Sequence, residues 1–323
     1  MAKAQGLSQS LRRWLTVRLH HHYPPLQTAA ELRQLAQQAA QLPWPLLSFQ
    51  YASAHHLMGE SLSIYRGRGF EFDDNRPYQA GDEPRLLNWR LYARSGMLHT
   101  KVFTEERRPQ LYLVVDRRAA MRFATRKQLK VTLAVRIALC YLYQAQSLGL
   151  AVGSYVLNQE EKWFAPAQGD VLMRGLLNEM VAPCAPLPLT EDTMGLQAVL
   201  GRMMHQLPAG SFILVLSDFH DLDAESAAPV LHHLAGRHDL KLVQILDPVE
   251  RNLPAQGDFL IDDALSSQTV RIDGRDSGQR RRYRELFQQR QLLLQACCKR
   301  AGVSLSTCST ADSLLQCLET VHA

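Results

Sequence analysis

Short apolar runs alternate with helical segments through the last two thirds of the chain, and this alternation constrains the fold more than any other feature. The runs lie at residues 110–115, 151–157, 211–216, 240–246 and 303–307. Strands that are apolar throughout and alternate with helices form a parallel sheet with both faces covered. We therefore predict an α/β domain over residues 109–323.

The first 108 residues follow a different pattern and divide into two segments. Residues 1–45 have helical periodicity that is broken at Pro24 and Pro25, and a second helix is expected at 28–41. We therefore expect a helical N-terminal arm. In residues 46–108, five glycines separate short apolar and aromatic stretches, which indicates a small β-rich segment.

Composition excludes several classes of protein. Of the 323 residues, 46% are hydrophobic and 21% are charged, which excludes collagen-like and disordered chains. The six cysteines include no Cys-x-x-Cys pair, which favours a reducing compartment. The longest apolar stretch, residues 129–150, contains Lys130 and Arg136, so it predicts a buried helix and no membrane span. We expect a cytoplasmic protein.

An aspartate ends or follows three of the predicted strands, at Asp116, Asp218 and Asp247. The carboxyl ends of parallel strands meet at one edge of the sheet, where ligands bind in such folds. Carboxylates that converge there are candidate ligands of a divalent cation, which prefers oxygen donors. A strand-end aspartate also often caps the following helix or turn, and the sequence leaves both interpretations open.

A dense motif of glycine, arginine and aromatic residues lies in the β-rich segment. It is Gly67-x-Gly69-x-Glu71-Phe72, then Arg76-x-Tyr78-x-x-Gly81-Asp82-x-x-Arg85-x-x-Asn88-Trp89-x-x-x-Ala93-Arg94. The motif resembles the signature of the bacterial domain of unknown function 58 family, in which the position of Asn88 is usually Asp. The resemblance extends over residues 45–320 and leaves out the N-terminal arm.

The resemblance implies a Rossmann-like α/β fold of the von Willebrand factor A type, preceded by the small β-rich segment and the helical N-terminal arm. It also implies a MoxR-type AAA+ ATPase and other von Willebrand factor A-domain proteins as partners. The role expected from it is that of a non-catalytic, chaperone-like accessory protein. Such a protein acts in the assembly or activation of protein complexes.

Domains of the von Willebrand factor A type often hold a metal ion through Asp-x-Ser-x-Ser at the end of the first strand, a distant Thr and a later Asp. By this resemblance, the matching metal ligands in the present chain are Asp116, Thr193 and Asp218. Thr190 is a second option for the threonine.

Arg118 and Ala120 stand where the metal motif has its two serines. Ala120 offers no oxygen, and the positive charge of Arg118 repels a divalent cation. We hypothesise that the Arg118 guanidinium pairs with Asp116 or Asp218 and replaces the metal as the counter-charge. We therefore expect no cofactor. The alternative is that Arg118 points to solvent.

The sequence also predicts where partners bind. We expect polar recognition at the strand-end crevice through Asp116, Arg117, Arg118, Asp218, His220 and Asp221. We interpret the family signature as structural, linking the β-rich segment to the α/β domain, with direct partner contact as the alternative. Its residues are Arg76, Tyr78, Gly81, Asp82, Arg85, Trp89 and Arg94.

Two other functions remain open on the sequence. A metal-dependent hydrolase would use Asp116 and Asp218, with His220 as the base. Nucleic-acid binding would use the basic arm and the arginine-rich helix predicted at residues 279–301. Residues 60–109 carry nine basic and eight acidic side chains, so this region lacks the net positive charge that phosphate binding needs. Nucleic acid is therefore the less favoured partner.

Overall fold

The computed structural model of the protein describes residues 25–47, 71–79, 81–104, 109–158, 161–184, 195–262 and 269–322. The chain forms two compact units. One comprises Met1–Leu47 together with Gln110–Ala323, and the other comprises Ser48–Pro109. Residues 1–24 of the predicted arm lie outside the described residues.

Helices and strands alternate along the described chain. The helices are α1 (Ala29–Ala40), α2 (Trp89–Ser95), α3 (Lys130–Ser147), α4 (Asp170–Val181), α5 (Leu196–Gln206), α6 (Ala224–Ala235), α7 (Pro248–Arg251), α8 (Ser277–Ala301) and α9 (Leu314–His322). The strands are β1 (Glu71–Pro77), β2 (His99–Thr104), β3 (Gln110–Asp116), β4 (Ala151–Leu157), β5 (Glu161–Ala167), β6 (Phe212–Ser217), β7 (Asp239–Leu246), β8 (Asp258–Asp262), β9 (Thr269–Asp273) and β10 (Ser304–Ser309).

The larger unit is built around a six-stranded sheet with the order β10-β7-β6-β3-β4-β5. The strands pair in parallel, except that β5 is antiparallel to β4. When the six strands are numbered in chain order from β3 and read across the sheet from β5, their order is 3-2-1-4-5-6. This is the strand order of doubly wound α/β proteins. The predicted α/β fold with a mostly parallel sheet is therefore confirmed. The strand order reverses between the neighbouring strands β3 and β6.

Helices cover both faces of this sheet. On one face, Tyr112 of β3 packs with residues of α5, α6 and α8, including Val199, Leu231 and Leu294. Successive residues of a strand point to opposite faces, so Leu113 points to the other face. There α3 contacts four of the strands, and α1 and α9 pack against α3 in turn. Burial on both faces explains why the strands are apolar throughout.

Helix α3 begins at Lys130, five residues later than the apolar pattern starts to look helical at Thr125. The preceding residues form a loop, in which the Thr125 N–H donates to Asp247 at 2.8 Å and the Lys130 N–H donates to the carbonyl of Phe123 at 3.1 Å. The helix is buried on most of its sides, as the sequence predicts. Among the residues that the structure describes, no helix combines the length and hydropathy needed to cross a bilayer.

The described part of the smaller unit contains the antiparallel pair β1–β2 and the helix α2. Asn88 is the N-cap of α2, because its side chain accepts the N–H of Leu91 at 3.1 Å. Its amide also donates to Asn75 of β1 at 2.7 Å. Asn88 thus caps the helix at the position where the family usually has Asp. The predicted β-rich segment therefore also contains a helix, and its residues 48–70 lie outside the described residues.

Candidate functional site

The candidate site lies at the carboxyl ends of β3 and β6, where the strand order of the sheet reverses. Asp116 is the last residue of β3, and Asp218 directly follows β6. In open α/β sheets this switch point is where ligands bind. The structure therefore brings together the two aspartates that the sequence singles out.

Asp116 is fully buried, and both oxygens of its carboxylate are engaged. Arg118 donates to it from the backbone N–H at 3.0 Å, from Nε at 3.0 Å and from Nη2 at 2.7 Å. The hydroxyl of Ser217, at the end of β6, donates to the same carboxylate at 2.6 Å. Charge-assisted bonds of this fork-like kind are strong and directional. The predicted pairing of Arg118 with Asp116 is confirmed.

Arg118 also pairs with a second carboxylate, that of Asp221. The guanidinium donates to the two oxygens of Asp221 at 2.5 and 2.9 Å. Asp221 in turn accepts the N–H of Leu196 at the start of α5, at 2.9 Å. Burial opposes the charged form of Arg118, but the field of Asp116 and its hydrogen bonds outweigh burial and raise the pKa of the guanidinium. Arg118 is therefore a fixed cation between two carboxylates.

Asp218 has a different cation, the buried ammonium of Lys130. Nζ of Lys130 lies 2.7 Å from Asp218 and 2.7 Å from Glu250. Nδ1 of His220 lies 2.8 Å from the other oxygen of Asp218. Burial alone would raise the pKa of Asp218, but Lys130 and then His220 hold it well below its usual value. The alternative that Asp218 pairs with Arg118 is wrong, because Lys130 takes that place.

The turn after β6 has an unusual backbone. Phe219 has a φ of 56°, a conformation that non-glycine residues rarely adopt. Its ring is buried in the core, and Arg290 of α8 donates to its carbonyl at 3.1 Å. These contacts hold the turn, which carries Asp218 and His220 toward the site. Such conformations are found most often at functional sites.

Arg117 does not belong to the surface of the site. Its side chain is fully buried and donates to the carbonyl of Ala182 at 2.5 Å, to that of Glu179, and to Sγ of Cys184 at 3.1 Å. It therefore anchors the end of α4 in the core and is not exposed to a partner.

The other predicted contacts are also largely enclosed. Asp116, Arg118 and Asp218 are buried, whereas His220 and Asp221 are partly exposed. A partner that approaches the crevice therefore meets side chains that are already paired with one another.

The residues at the site do not fit a divalent metal ion. Asp116 and Asp218 each hold an internal cation, and Ala120 has no oxygen to donate. Thr193, the expected threonine ligand, and Thr190 lie outside the described residues. Within the part of the chain that the structure describes, no group of three or more His, Cys, Asp or Glu side chains is placed to hold a metal.

The sequence alone does not identify Lys130 as part of the site, and it leaves the role of Asp247 open. Lys130 is the first residue of an apolar helix, and that isolated charge is a signal for a buried partner. Asp247 accepts the N–H of Val249 at 3.1 Å and the hydroxyl of Thr310 at 2.7 Å, and it begins α7 as a capping box with Glu250. Of the three strand-end aspartates, Asp247 is therefore a cap and lies outside the candidate site.

The family signature is only partly buried in the smaller unit. Arg76 and Asp82 form an ion pair of 2.5 Å, and Thr100 donates to Asp82 at 3.0 Å. The hydrogen bond from Arg76 is the main reason why the pKa of Asp82 falls to about 2. These contacts are structural within the unit. The residues Tyr78, Gly81, Arg85, Trp89 and Arg94 are exposed, and their role in linking the segments stays a prediction.

The fold and the site together define an α/β protein of doubly wound order whose switch-point aspartates are held by internal cations. The chain belongs to the family described as "Protein of unknown function DUF58", which matches residues 74–292. The resemblance identified in the sequence motif is thereby confirmed.

Curated relatives are found in mycobacteria. Uncharacterized protein Rv1480 of Mycobacterium tuberculosis and Uncharacterized protein Mb1516 of Mycobacterium bovis are each 27% identical to this chain over 212 residues. The match covers 65% of this chain and 65% of each relative. This chain thus matches less than two thirds of the length of these relatives.

Solved structures with detectable similarity include three from other bacteria. An aerotolerance-related membrane protein from Bacteroides fragilis is 12% identical, with a TM-score of 0.41, and the match covers 66% of this chain and 96% of that chain. Hypothetical protein BatB from Bacteroides thetaiotaomicron is 11% identical, with a TM-score of 0.42 and coverage of 66% and 97%. A von Willebrand factor type A protein from Catenulispora acidiphila is 9% identical, with a TM-score of 0.38 and coverage of 68% and 42%. Because these scores are low, the fold assignment rests on the strand order described above.

Proposed function

We propose that this protein is a non-catalytic interaction module of the von Willebrand factor A type that works without a metal ion. Its partner is a MoxR-type AAA+ ATPase, and the two act in the cytoplasm to assemble or activate other protein complexes. The observation that carries the proposal is the position of Arg118 between Asp116 and Asp221. Membership of the family supports the choice of partner.

The paired charges support a metal-independent site. A divalent ion at Asp116 would have to displace the guanidinium of Arg118 from two carboxylates. The displaced cation would then be left buried without a partner, which costs about 3–5 kcal/mol in comparable pairs. Lys130 places a second positive charge at the same edge of the sheet. Both effects oppose metal binding.

The same contacts disfavour the hydrolase alternative. A hydrolase of that kind needs an activated water and a group that accepts its proton. His220 is the only base that the motif offers, and its pKa is raised, because the hydrogen bond to Asp218 outweighs the opposing effect of burial. Its Nδ1 is already engaged by Asp218 at 2.8 Å, and the cations Arg118 and Lys130 oppose the metal ion that would activate a water. We therefore propose a binding role and no reaction.

Complex formation tests the proposed function directly. The full chain is mixed with the purified MoxR-type ATPase of the same organism and analysed by size-exclusion chromatography with light scattering. We expect a complex of defined stoichiometry and a changed rate of ATP hydrolysis. If the two proteins elute separately and the ATPase rate is unchanged, the proposed function is wrong. An activity of the chain alone that is lost in EDTA would favour the hydrolase instead.

A further inference from the structure

Most of the described acidic side chains at the carboxyl edge of the larger sheet are engaged within the unit. Asp116 and Asp221 hold Arg118, and Asp218 and Glu250 hold Lys130. Asp223, Asp247 and Asp312 accept hydrogen bonds from the local backbone, whereas Glu225, in the first turn of α6, is exposed. A partner would have to break internal contacts to use the carboxylates of the strand-end site.

Three basic side chains at the same edge are free. Arg126, Lys127 and Arg251 are exposed, and none of them has an ion pair or a side-chain hydrogen bond to another described residue. Phe123, in the loop before α3, is 42% exposed. Apart from Glu225, what the described part of this edge offers to a partner without rearrangement is positive charge beside an aromatic ring. We call these four residues the basic rim.

Hydrogen bonds hold the two segments of the basic rim together. The N–H of Thr125 donates to Asp247 at 2.8 Å, and this contact places the loop that carries Phe123 and Arg126 against the start of α7. Lys130 reaches Glu250 of α7 at 2.7 Å from the other end of the loop. Arg251 is the last residue of α7. The rim is therefore one preorganised surface, which lowers the entropy cost of binding.

We propose that the basic rim binds a carboxylate-rich segment of the ATPase, an inference that rests on the proposed function. Arginine beside an aromatic side chain is typical of the residues that dominate binding energy at interfaces. The guanidinium fork matches a carboxylate geometrically. Nucleic acid fits less well, because binding driven by phosphate contacts strengthens with the number of basic side chains engaged and the rim has three free cations.

Zero-length cross-linking tests whether partner carboxylates reach the rim. A carbodiimide joins an amine to a carboxylate only when the two are in contact. In the complex of the full chain with the ATPase, we expect Lys127 to be joined to Asp or Glu residues of the ATPase, as identified by mass spectrometry. Lys299, exposed near the end of α8, is the internal control. A cross-link to this control without one at Lys127 would overturn the inference.

Charge reversal provides the second test. The double variant Arg126→Glu, Arg251→Glu is expected to raise the Kd for the ATPase about tenfold or more, and the effect should shrink as NaCl rises. The matched control Arg282→Glu, Arg300→Glu reverses two exposed charges on α8 and should leave the Kd unchanged. Circular dichroism confirms that both variants fold.

The outcomes separate this inference from the proposed function. If the wild type binds the ATPase and both double variants bind equally well, the basic rim is not the binding surface and the proposed function stands. If the α8 control alone loses binding, the binding surface lies on α8 and the inference about the rim is wrong. If the wild type does not bind the ATPase at all, both the proposed function and the inference about the basic rim are wrong.

Discussion

Arg118 stands where metal-binding domains of this type have a serine, and this one residue changes the chemistry of the strand end. It contributes three hydrogen bonds to Asp116 and two to Asp221. A buried ion pair is weak evidence for stability, because the loss of hydration offsets the attraction between the charges. Removing one partner is different, because the other charge stays buried without compensation.

The substitution Arg118→Ala should therefore destabilise the fold strongly. It leaves Asp116 and Asp221 without their cation, and we expect the free energy of unfolding to fall by about 3–5 kcal/mol. The matched control is Arg202→Ala, which breaks the 2.9 Å pair with Glu161. That arginine is half exposed, so its loss should cost less than about 1 kcal/mol. Urea unfolding of the three proteins measures both values, and equal losses would contradict the role of Arg118.

His220 should make stability depend on pH. Burial opposes its charged form, but the hydrogen bond and the charge of Asp218, with a smaller contribution from Asp221, raise its pKa above 6.5, while Arg118 opposes them. The stability that this shift contributes is complete below about pH 6.5 and is lost as the pH rises through the raised pKa. The variant His220→Gln should therefore lose more stability at about pH 5.5 than at about pH 9.

Thermal unfolding over this range checks the prediction for His220. The variant His205→Gln, on the exposed face of α5, is the control and should follow the wild type at each pH. A difference between wild type and His220→Gln that grows as the pH rises would contradict the assignment.

The residue pairs of the site differ in how far the sequence predicts them. The pair of Arg118 and Asp116 is predictable, because the residues are two positions apart at the end of a strand. Asp221 lies 103 residues from Arg118, and Asp218 lies 88 residues from Lys130. Such contacts depend on which strands are neighbours in the sheet, and periodicity along one chain does not contain that information.

Among the elements, the central strands follow the sequence pattern closely because burial on both faces requires apolar residues throughout. The edge strand β5 has a weak sequence pattern because part of it faces solvent. Pro166 is compatible with β5 because a proline that lacks an N–H is tolerated at a sheet edge. The loop before α3 is held by the Thr125–Asp247 bond, a contact between distant parts of the chain that periodicity does not reveal.

Two glycines in different elements should respond oppositely to alanine. In β4, a Cβ on Gly153 would lie 2.7 Å from the ring of Tyr112 and 3.2 Å from the carbonyl of Phe164. We expect Gly153→Ala to destabilise the fold by about 1–3 kcal/mol, as overpacking does. In α4, a Cβ on Gly175 would meet nothing within 4 Å, and the helix gains about 1 kcal/mol from alanine. Chemical denaturation distinguishes the two, and a stabilising Gly153→Ala would contradict the packing of β4 on β3.

At the scale of the larger unit, the charged side chains at the carboxyl edge of the sheet form two layers. Carboxylates and their cations are enclosed at the strand ends, and the basic rim lies outside them. The sequence predicts the place of the site, because the alternation of strands and helices predicts a parallel sheet whose strands end in aspartates at one edge. It does not predict which side chains remain free at the surface, because that depends on pairs that form only in the fold.

The interaction partner belongs to the same scale. The fold and the sheet edge do not identify the partner. The proposal of a MoxR-type ATPase rests on membership of the family. Binding that is independent of metal is the property that this chain's own residues support.

Titration calorimetry of Mn²⁺ and Mg²⁺ into the full chain, purified through EDTA, tests the central claim most directly. We predict no heat of binding for the wild type, because Arg118 occupies the carboxylates of Asp116 and Asp221. The variant Arg118→Ser, Ala120→Ser, Lys130→Ala restores both hydroxyl positions of the metal motif, frees Asp218 from its internal cation and should bind one ion. Stoichiometric binding to the wild type with micromolar affinity, abolished by Asp116→Asn, would contradict the account.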